Sequence, residues 1–108
     1  MIPVIIESPY AGATEENLTY LRACMRDCLH RGEAPFASHG LYTQYGVLDD
    51  KDPEERKLGI AAGFAWRALV RKTVVYTDRG ITDGMRAGIE HAKKMTWHTI
   101  EYRELGHT

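Results

Sequence analysis

The 108-residue chain is 44% hydrophobic and 27% charged and has a formal net charge of −1. These values are ordinary for a globular protein, and the length predicts one domain over residues 1–108. The near-neutral charge argues against bulk electrostatic binding of nucleic acid or of an anionic membrane. No apolar run approaches the ~20 residues that cross a bilayer. The N-terminus lacks the basic and apolar pattern of a signal peptide, so we expect a cytoplasmic protein.

The first half of the chain alternates strands with a helix. The apolar run of residues 2–7 predicts a central strand. Thr14, with Glu15 and Glu16 behind it, predicts the N-cap of a helix over about 14–31, and Gly32 stands where such a helix ends. Residues 34–37 predict a second strand. Residues 40–52 predict an ordered loop with room for one helical turn.

The second half continues the alternation. Asp52 followed by Pro53 is a strong helix start, because Asp caps the helix and Pro suits its first position. Residues 73–77 predict a third strand, a helix follows from Thr82 or Asp83 to Lys94, and residues 97–102 predict a final strand. The order βαβαβαβ predicts a mostly parallel sheet with right-handed crossovers and helices on both faces.

Cys24 and Cys28 lie four residues apart and share one face of the first predicted helix. A metal site would need further ligands, and no nearby His or Cys completes a set. We therefore interpret both cysteines as small buried apolar residues, and we expect no metal and no cofactor.

Polar residues follow the first strand directly. Ser8, Pro9, Tyr10 and Gly12 precede a helix N-terminus, where free backbone N–H groups and the helix dipole favour an anion such as phosphate. Tyr10 could stack on a base or a ribose. The alternative is a plain strand-to-helix turn. The segment is not a Walker P-loop, since no Gly-Lys-Ser/Thr follows.

Polar residues also follow the second predicted strand. Ser38 and His39 would reach the same crevice if the sheet is parallel. His39 could hydrogen-bond a ligand or act as an acid or base near neutral pH, or it could be structural. Tyr42 could close over a ligand or simply cover the edge of the sheet.

The third strand ends in a comparable way. Asp78 could accept hydrogen bonds from ribose hydroxyls and Arg79 could pair with phosphate, although a structural salt bridge is the alternative. Gly84 would let a ligand approach the backbone, and Met85 could line an apolar pocket or belong to the core. These positions complete a predicted ligand site beyond the carboxyl ends of the strands.

Five stretches of the chain, in this order, match a known pattern: Ile6-Glu7-Ser8-Pro9-Tyr10-Ala11-Gly12, Glu15-Glu16-Asn17, Ala34-Pro35…Ser38-His39…Leu41-Tyr42-Thr43-Gln44, Asp52-Pro53-Glu54-Glu55-Arg56…Gly59 and Asp78-Arg79…Gly84-Met85-Arg86. On these stretches the chain resembles the nucleoside 2-deoxyribosyltransferase-like superfamily, especially its small phage and bacterial members of unknown function. The resemblance covers nearly the whole chain. It implies a flavodoxin-like three-layer sandwich with a four- to five-stranded sheet, in a homodimer or larger assembly.

The resemblance also implies a chemistry. Active members cleave or transfer the N-glycosidic bond of deoxynucleosides or their 5′-phosphates, with a glutamate near the start of the helix after strand three as the nucleophile. In that pattern Gly-Met is followed by two residues and then Glu-Ile. In this chain the glutamate position is Gly88, and Glu90 lies about 200° around the helix from it.

The missing glutamate leaves three interpretations. The favoured one is a nucleotide- or nucleoside-phosphate-binding protein without turnover, which in a phage would sequester a nucleotide signal in the host cytoplasm. The second is an enzyme that cleaves or transfers the N-glycosidic bond with a substitute carboxylate, for which Glu7, Asp78 and Asp83 are candidates. The third is a structural oligomer with a vestigial pocket.

Overall fold

The computed structural model describes residues 1–106, in which four strands alternate with helices. The elements in chain order are β1 (Ile2–Glu7), α1 (Thr14–His30), β2 (Glu33–Phe36), α2 (Ser38–Leu41), α3 (Pro53–Arg67), β3 (Lys72–Tyr76), α4 (Asp83–Lys93) and β4 (Thr99–Arg103).

The strands form one sheet in the order β2-β1-β3-β4, and each neighbouring pair is parallel. In the register Ile5 lies beside Thr73 of β3 and Phe36 of β2. The carboxyl ends of β1 and β2 therefore lie at one edge, where α/β sheets bind ligands. The predicted fold class is confirmed: the domain is α/β with a flavodoxin-like parallel sheet.

The sheet separates two apolar clusters. On one face Val4, Ile6, Val74 and Tyr76 pack with residues of α1. On the other face Val75 packs with Met85 and Ile89 of α4. Residues of β3 thus alternate between the two faces, as the period of a strand requires. The two thiols of α1 are buried in the first cluster, which confirms that they are small buried residues.

Helix α1 begins at Thr14, as predicted, but its N-cap is a different residue from the predicted one. The N-cap is Ala13, which makes no side-chain cap, and Thr14 is already helical. Asn17 holds this end instead, because its Nδ2 donates to the carbonyls of Tyr10 (2.9 Å) and Ala11 (3.3 Å). The carboxamide thus ties the loop after β1 to the helix. In contrast, Asp52 caps α3 as predicted and accepts from the N–H of Glu54.

Two other boundaries also differ. Ser38 and His39 follow β2 but already belong to α2, a single helical turn that begins two residues before the predicted loop of residues 40–52 and extends into it. β4 begins at Thr99 and not at residue 97. The His98 N–H donates to the carbonyl oxygen of Met95 and so closes a turn just before the strand. The His98 ring also bonds the carbonyl oxygen of Val70 through Nδ1. Within residues 1–106, each helix is too short or too polar to span a membrane.

Candidate functional site

A cavity of about 540 Å³ lies beyond the carboxyl ends of β1 and β2, between α2, α3 and the start of α4. Its volume is in the range that small-molecule sites occupy. Seven residues of the sequence-predicted site line it: Ser8, Tyr10, Ser38, His39, Tyr42, Gly84 and Met85.

The other four predicted residues lie outside the lining of this cavity. Asp78 accepts hydrogen bonds from the Tyr20 hydroxyl (2.5 Å) and from the N–H of Leu105, so it joins α1, β3 and the segment after β4. The guanidinium of Arg79 lies 5.1 Å from the centre of the Tyr20 ring. Pro9 is buried. Gly12 adopts φ +94°, which a non-glycine residue rarely tolerates.

Ser8 and His39 form a polar pair in the cavity wall. The Ser8 Oγ lies 2.7 Å from His39 Nε2, and the rings of Tyr10 and His39 are roughly perpendicular, with 6.4 Å between ring centres. Burial lowers the pKa of His39 to about 4. The imidazole is therefore neutral near pH 7. Depending on its tautomer, Nε2 either accepts a hydrogen bond from the Ser8 hydroxyl or donates one to it.

Glu7 and Arg67 form a second polar pair, between the end of β1 and the end of α3. An Nη2 of Arg67 donates to Oε2 of Glu7, and only 3% of the Arg67 side chain and 13% of the Glu7 side chain are exposed. Burial raises the pKa of Glu7 to about 7, and the positive charge of Arg67 only partly offsets this. The buried Glu7 carboxyl is therefore easier to protonate than an exposed glutamate, and Arg67 is the group that favours its charged form.

Arg67 is itself fixed by groups on the sheet and on α4. Its Nε donates to Thr73 Oγ1 at 3.1 Å, and its Nη1 lies 3.4 Å from His91 Nδ1. The His91 ring in turn stacks on Phe64, with 3.8 Å between ring centres. These contacts hold the guanidinium in one place and so determine where the Glu7 carboxylate lies.

Aromatic and apolar side chains supply much of the remaining wall. Phe36 and Tyr42 line the cavity with 6.1 Å between their ring centres, and Trp66, which lies outside the lining, packs 5.5 Å from Phe36. Trp66 Nε1 donates to the Tyr42 hydroxyl at 2.9 Å. The cavity therefore offers a planar ligand aromatic surfaces beside buried hydrogen-bonding groups, a combination typical of small-molecule sites.

Arg56 brings a cation to the start of α4. Its Nη1 donates to Asp50 at 2.6 Å, and its Nη2 would lie 3.6 Å from a β-carbon at Gly84. Both Arg56 and Gly84 line the cavity. The guanidinium and the positive end of the α4 dipole therefore face the same region, which favours an anionic group there.

Sequence reasoning did not identify Arg56 or Arg67 as part of the site. Arg67 lies in the last turn of α3, where a cation is also explained by the helix dipole alone. The pattern that could have found it is the spacing of Gly59, Gly63 and Arg67, because residues four apart share a helix face. Gly63 is required there, since a β-carbon would lie 2.6 Å from Ser38 Oγ. This face of α3 leaves room for the cavity.

The fold and the cavity define a flavodoxin-like α/β domain with a small-molecule cavity at the carboxyl ends of its strands. The chain belongs to the family described as Domain of unknown function (DUF7768), whose model matches residues 2–103. No curated protein matches the chain significantly.

A solved structure with the same fold is that of a 2-deoxyribosyltransferase from the psychrotolerant bacterium Bacillus psychrosaccharolyticus. The two share 11% sequence identity over 98% of this chain and 76% of the other, with a TM-score of 0.61. At this identity the likeness establishes a common fold.

Proposed function

We propose that this protein binds a nucleoside or a nucleoside 5′-phosphate in the cavity beside β1. The observation that carries the proposal is the composition of the cavity wall, in which aromatic side chains stand next to the Ser8–His39 and Glu7–Arg67 pairs. The fold neighbour is described as a biocatalyst for nucleoside synthesis, which supports the same ligand class.

The parts of such a ligand match different parts of the wall. A base is flat and apolar on its faces, and Tyr10, Phe64 and Met85 offer surfaces against which it can pack. Sugar hydroxyls need hydrogen-bond partners when they leave water. The Ser8 hydroxyl and the Glu7 carboxylate are such partners, and both line the same cavity.

A 5′-phosphate would bind at the start of α4, beside Arg56. Arginine forms strong charge-assisted hydrogen bonds with phosphate oxygens, and a helix N-terminus adds to the attraction. The ion pair of Arg56 with Asp50 positions the guanidinium, but the Asp50 carboxylate also reduces the net positive charge of this region. We therefore expect the phosphate to strengthen binding moderately rather than to be essential.

Two outcomes of binding are compatible with this ligand class. Retention without turnover would suit sequestration of a nucleotide signal, which is how a phage-encoded protein in a host cytoplasm would use it. Cleavage of the N-glycosidic bond is a second candidate, and the specific observation that favours it is the buried Glu7 carboxylate in the cavity wall. A homo-oligomeric assembly is part of the same proposal.

The binding proposal is tested by calorimetric titration of the full-length protein. The ligands are the common 2′-deoxynucleosides and their 5′-monophosphates. We expect saturable binding that Tyr10→Ala weakens by roughly tenfold, since losing a stacked aromatic ring costs about 1–3 kcal/mol. Tyr102→Ala is the matched control, because Tyr102 is about half exposed on β4 and lies outside the cavity. Equal losses in both variants, or no saturable binding, would overturn the proposal.

Arg56→Gln tests where a phosphate sits. The expected result is a loss of the affinity advantage of 5′-monophosphates over nucleosides, with nucleoside affinity retained. If both ligand types weaken equally, Arg56 does not contact the phosphate.

A further inference from the structure

The Glu7 carboxylate occupies the space that a side chain at position 88 would fill. A β-carbon on Gly88 would lie 2.5 Å from Glu7 Cδ and 2.8 Å from Oε1, and closer still to Oε2. Real β-carbons essentially never approach other atoms this closely. Gly88 is buried in the middle of α4, where glycine costs up to about 1 kcal/mol relative to alanine. The glycine therefore makes room for the carboxylate.

The surroundings hold Glu7 in this place. β1 sets its backbone, which is paired with Val75 of β3, and the anchored Arg67 binds Oε2. A carboxylate taken out of water is costly even when it is paired. Groups kept in such an environment within a cavity are frequent in active sites, because their protonation state is adjusted to a reaction.

We propose that Glu7 is a catalytic carboxylate, supplied by β1 into the room left by Gly88, and that the protein cleaves the N-glycosidic bond of its nucleoside ligand. This inference rests on the proposed function, because it requires the ligand to be a nucleoside or its 5′-phosphate. It makes Glu7 and Gly88 an interdependent pair: position 7 provides the functional group and position 88 the space.

The chemistry balances with water alone. A Glu7 oxygen attacks the anomeric carbon, a carbon–oxygen bond forms, and the carbon–nitrogen bond to the base breaks. The base leaves with the bonding electron pair and takes up one proton from solvent. Water then attacks the glycosyl ester, which returns the carboxylate, the free sugar or sugar phosphate and one proton. A second free base in place of water would give transfer instead of hydrolysis.

Glu7→Gln is the first test, with release of free base from 2′-deoxynucleosides and their 5′-monophosphates followed by chromatography. Loss of a nucleophile removes covalent catalysis while ground-state binding can persist. We expect base release to fall by at least about 100-fold and affinity, measured by calorimetry, to change less than about fivefold. The matched control is Glu90→Gln on the same helix, whose exposed side chain pairs with Lys93. It should release base at the wild-type rate.

Gly88→Ala tests the proposal without removing the carboxylate. The added β-carbon must displace Glu7, so base release should fall much more than affinity does. The double variant Glu7→Ala with Gly88→Glu returns a carboxylate to the same space from α4, and it should recover part of the activity that either single change removes. Circular dichroism establishes that each variant is folded. This route stays informative if Glu7→Gln, which leaves Arg67 uncompensated, fails to fold.

Acid quenching during turnover, followed by peptide mass analysis, provides a direct readout. A glycosyl adduct on the peptide that contains Glu7 supports the proposal. Wild-type protein that binds the nucleosides and releases no base overturns the catalytic inference and leaves the binding proposal standing. Absence of binding overturns both. Base release that survives Glu7→Gln shows that another group performs the reaction and overturns the role of Glu7.

Discussion

Arg67 of α3 and Glu7 of β1 form an ion pair that is almost entirely buried, and it connects a helix to the strand end at the cavity. Such a pair adds little to folding, because the cost of removing two charges from water offsets their attraction. Its consequence is local. Burial raises the pKa of Glu7 to about 7, and the charge of Arg67 opposes this rise, so the charge of the Glu7 carboxyl depends on the neighbouring guanidinium.

Arg67→Met should raise the pKa of Glu7 further, because the positive charge that favours the carboxylate is removed. The measurement is an NMR titration of the side-chain carboxyl carbons, which does not depend on activity. Arg71→Met is the control, because Arg71 is exposed in the short connection between α3 and β3. A Glu7 midpoint unchanged by Arg67→Met would mean that the ion pair does not tune this group.

His39 should make folding stability depend on pH. Its pKa is lowered to about 4 in the folded protein from a usual value of 6.5. A group of this kind contributes stability that is present above pH 6.5 and lost as the pH falls toward 4, because the unfolded chain takes up the proton first. Urea denaturation between pH 7 and 4 should show this loss, and His39→Phe should reduce it. An equal pH dependence in both proteins would contradict the assignment.

Glu33 and Arg103 form a second buried ion pair, with bonds of 2.8 and 3.0 Å that join β2 to β4. Glu33→Gln should destabilise the fold by about 3–5 kcal/mol at pH 7, because it leaves a buried guanidinium without its main partner. Glu101→Gln is the matched control. Glu101 also binds Arg103, but 40% of its side chain is exposed, so a smaller loss is expected.

The acid dependence of this pair has a defined sign. Hydrogen bonds from Arg103 lower the pKa of Glu33 to about 2 from a usual 4.5. The stabilisation is therefore present above pH 4.5 and lost as the pH falls toward 2. The wild-type advantage over Glu33→Gln should shrink in urea denaturation at pH 3. If the wild type is more stable than Glu33→Gln by the same amount at pH 7 and at pH 3, the Glu33–Arg103 ion pair is not the cause of the stability difference.

The two helix starts should respond differently to alanine. Asp52→Ala should cost about 1 kcal/mol of unfolding free energy, because its side chain caps α3. Thr14→Ala should cost less than about 0.5 kcal/mol, since Thr14 is already inside α1 and does not cap it. Chemical denaturation of both variants measures this contrast. Similar losses would mean that Thr14 stabilises the helix start after all.

Local sequence signals predicted most of the fold. Asp52-Pro53 marks the start of α3 because capping and the fixed φ of proline act within one turn. The apolar runs of β1 and β3 predict buried parallel strands because both faces of the sheet are covered. The bounds of α1 were predicted well, but its N-cap was assigned to the wrong residue, because Asn17, a turn further on, supplies the polar contacts expected of Thr14.

The candidate site was predictable only in part. Ser8, His39 and Met85 reach the cavity because they follow strand ends or begin a helix, which sequence order reveals. The side of the sheet to which a loop turns depends on contacts with residues distant in the sequence, so it cannot be predicted from the loop's own residues. Asp78 points toward Tyr20 on the α1 side of the sheet, away from the cavity. The pairing of Glu7 with the space at Gly88 depends on positions 81 residues apart and therefore required the fold.

Calorimetric titration of the wild-type protein with 2′-deoxynucleosides and their 5′-monophosphates, alongside Tyr10→Ala, tests the central claim most directly. The account predicts saturable binding of at least one of these ligands and a roughly tenfold weaker affinity in the variant. Absence of saturable binding to the folded wild-type protein, or an affinity that Tyr10→Ala leaves unchanged, would contradict the claim that this cavity is a nucleoside site.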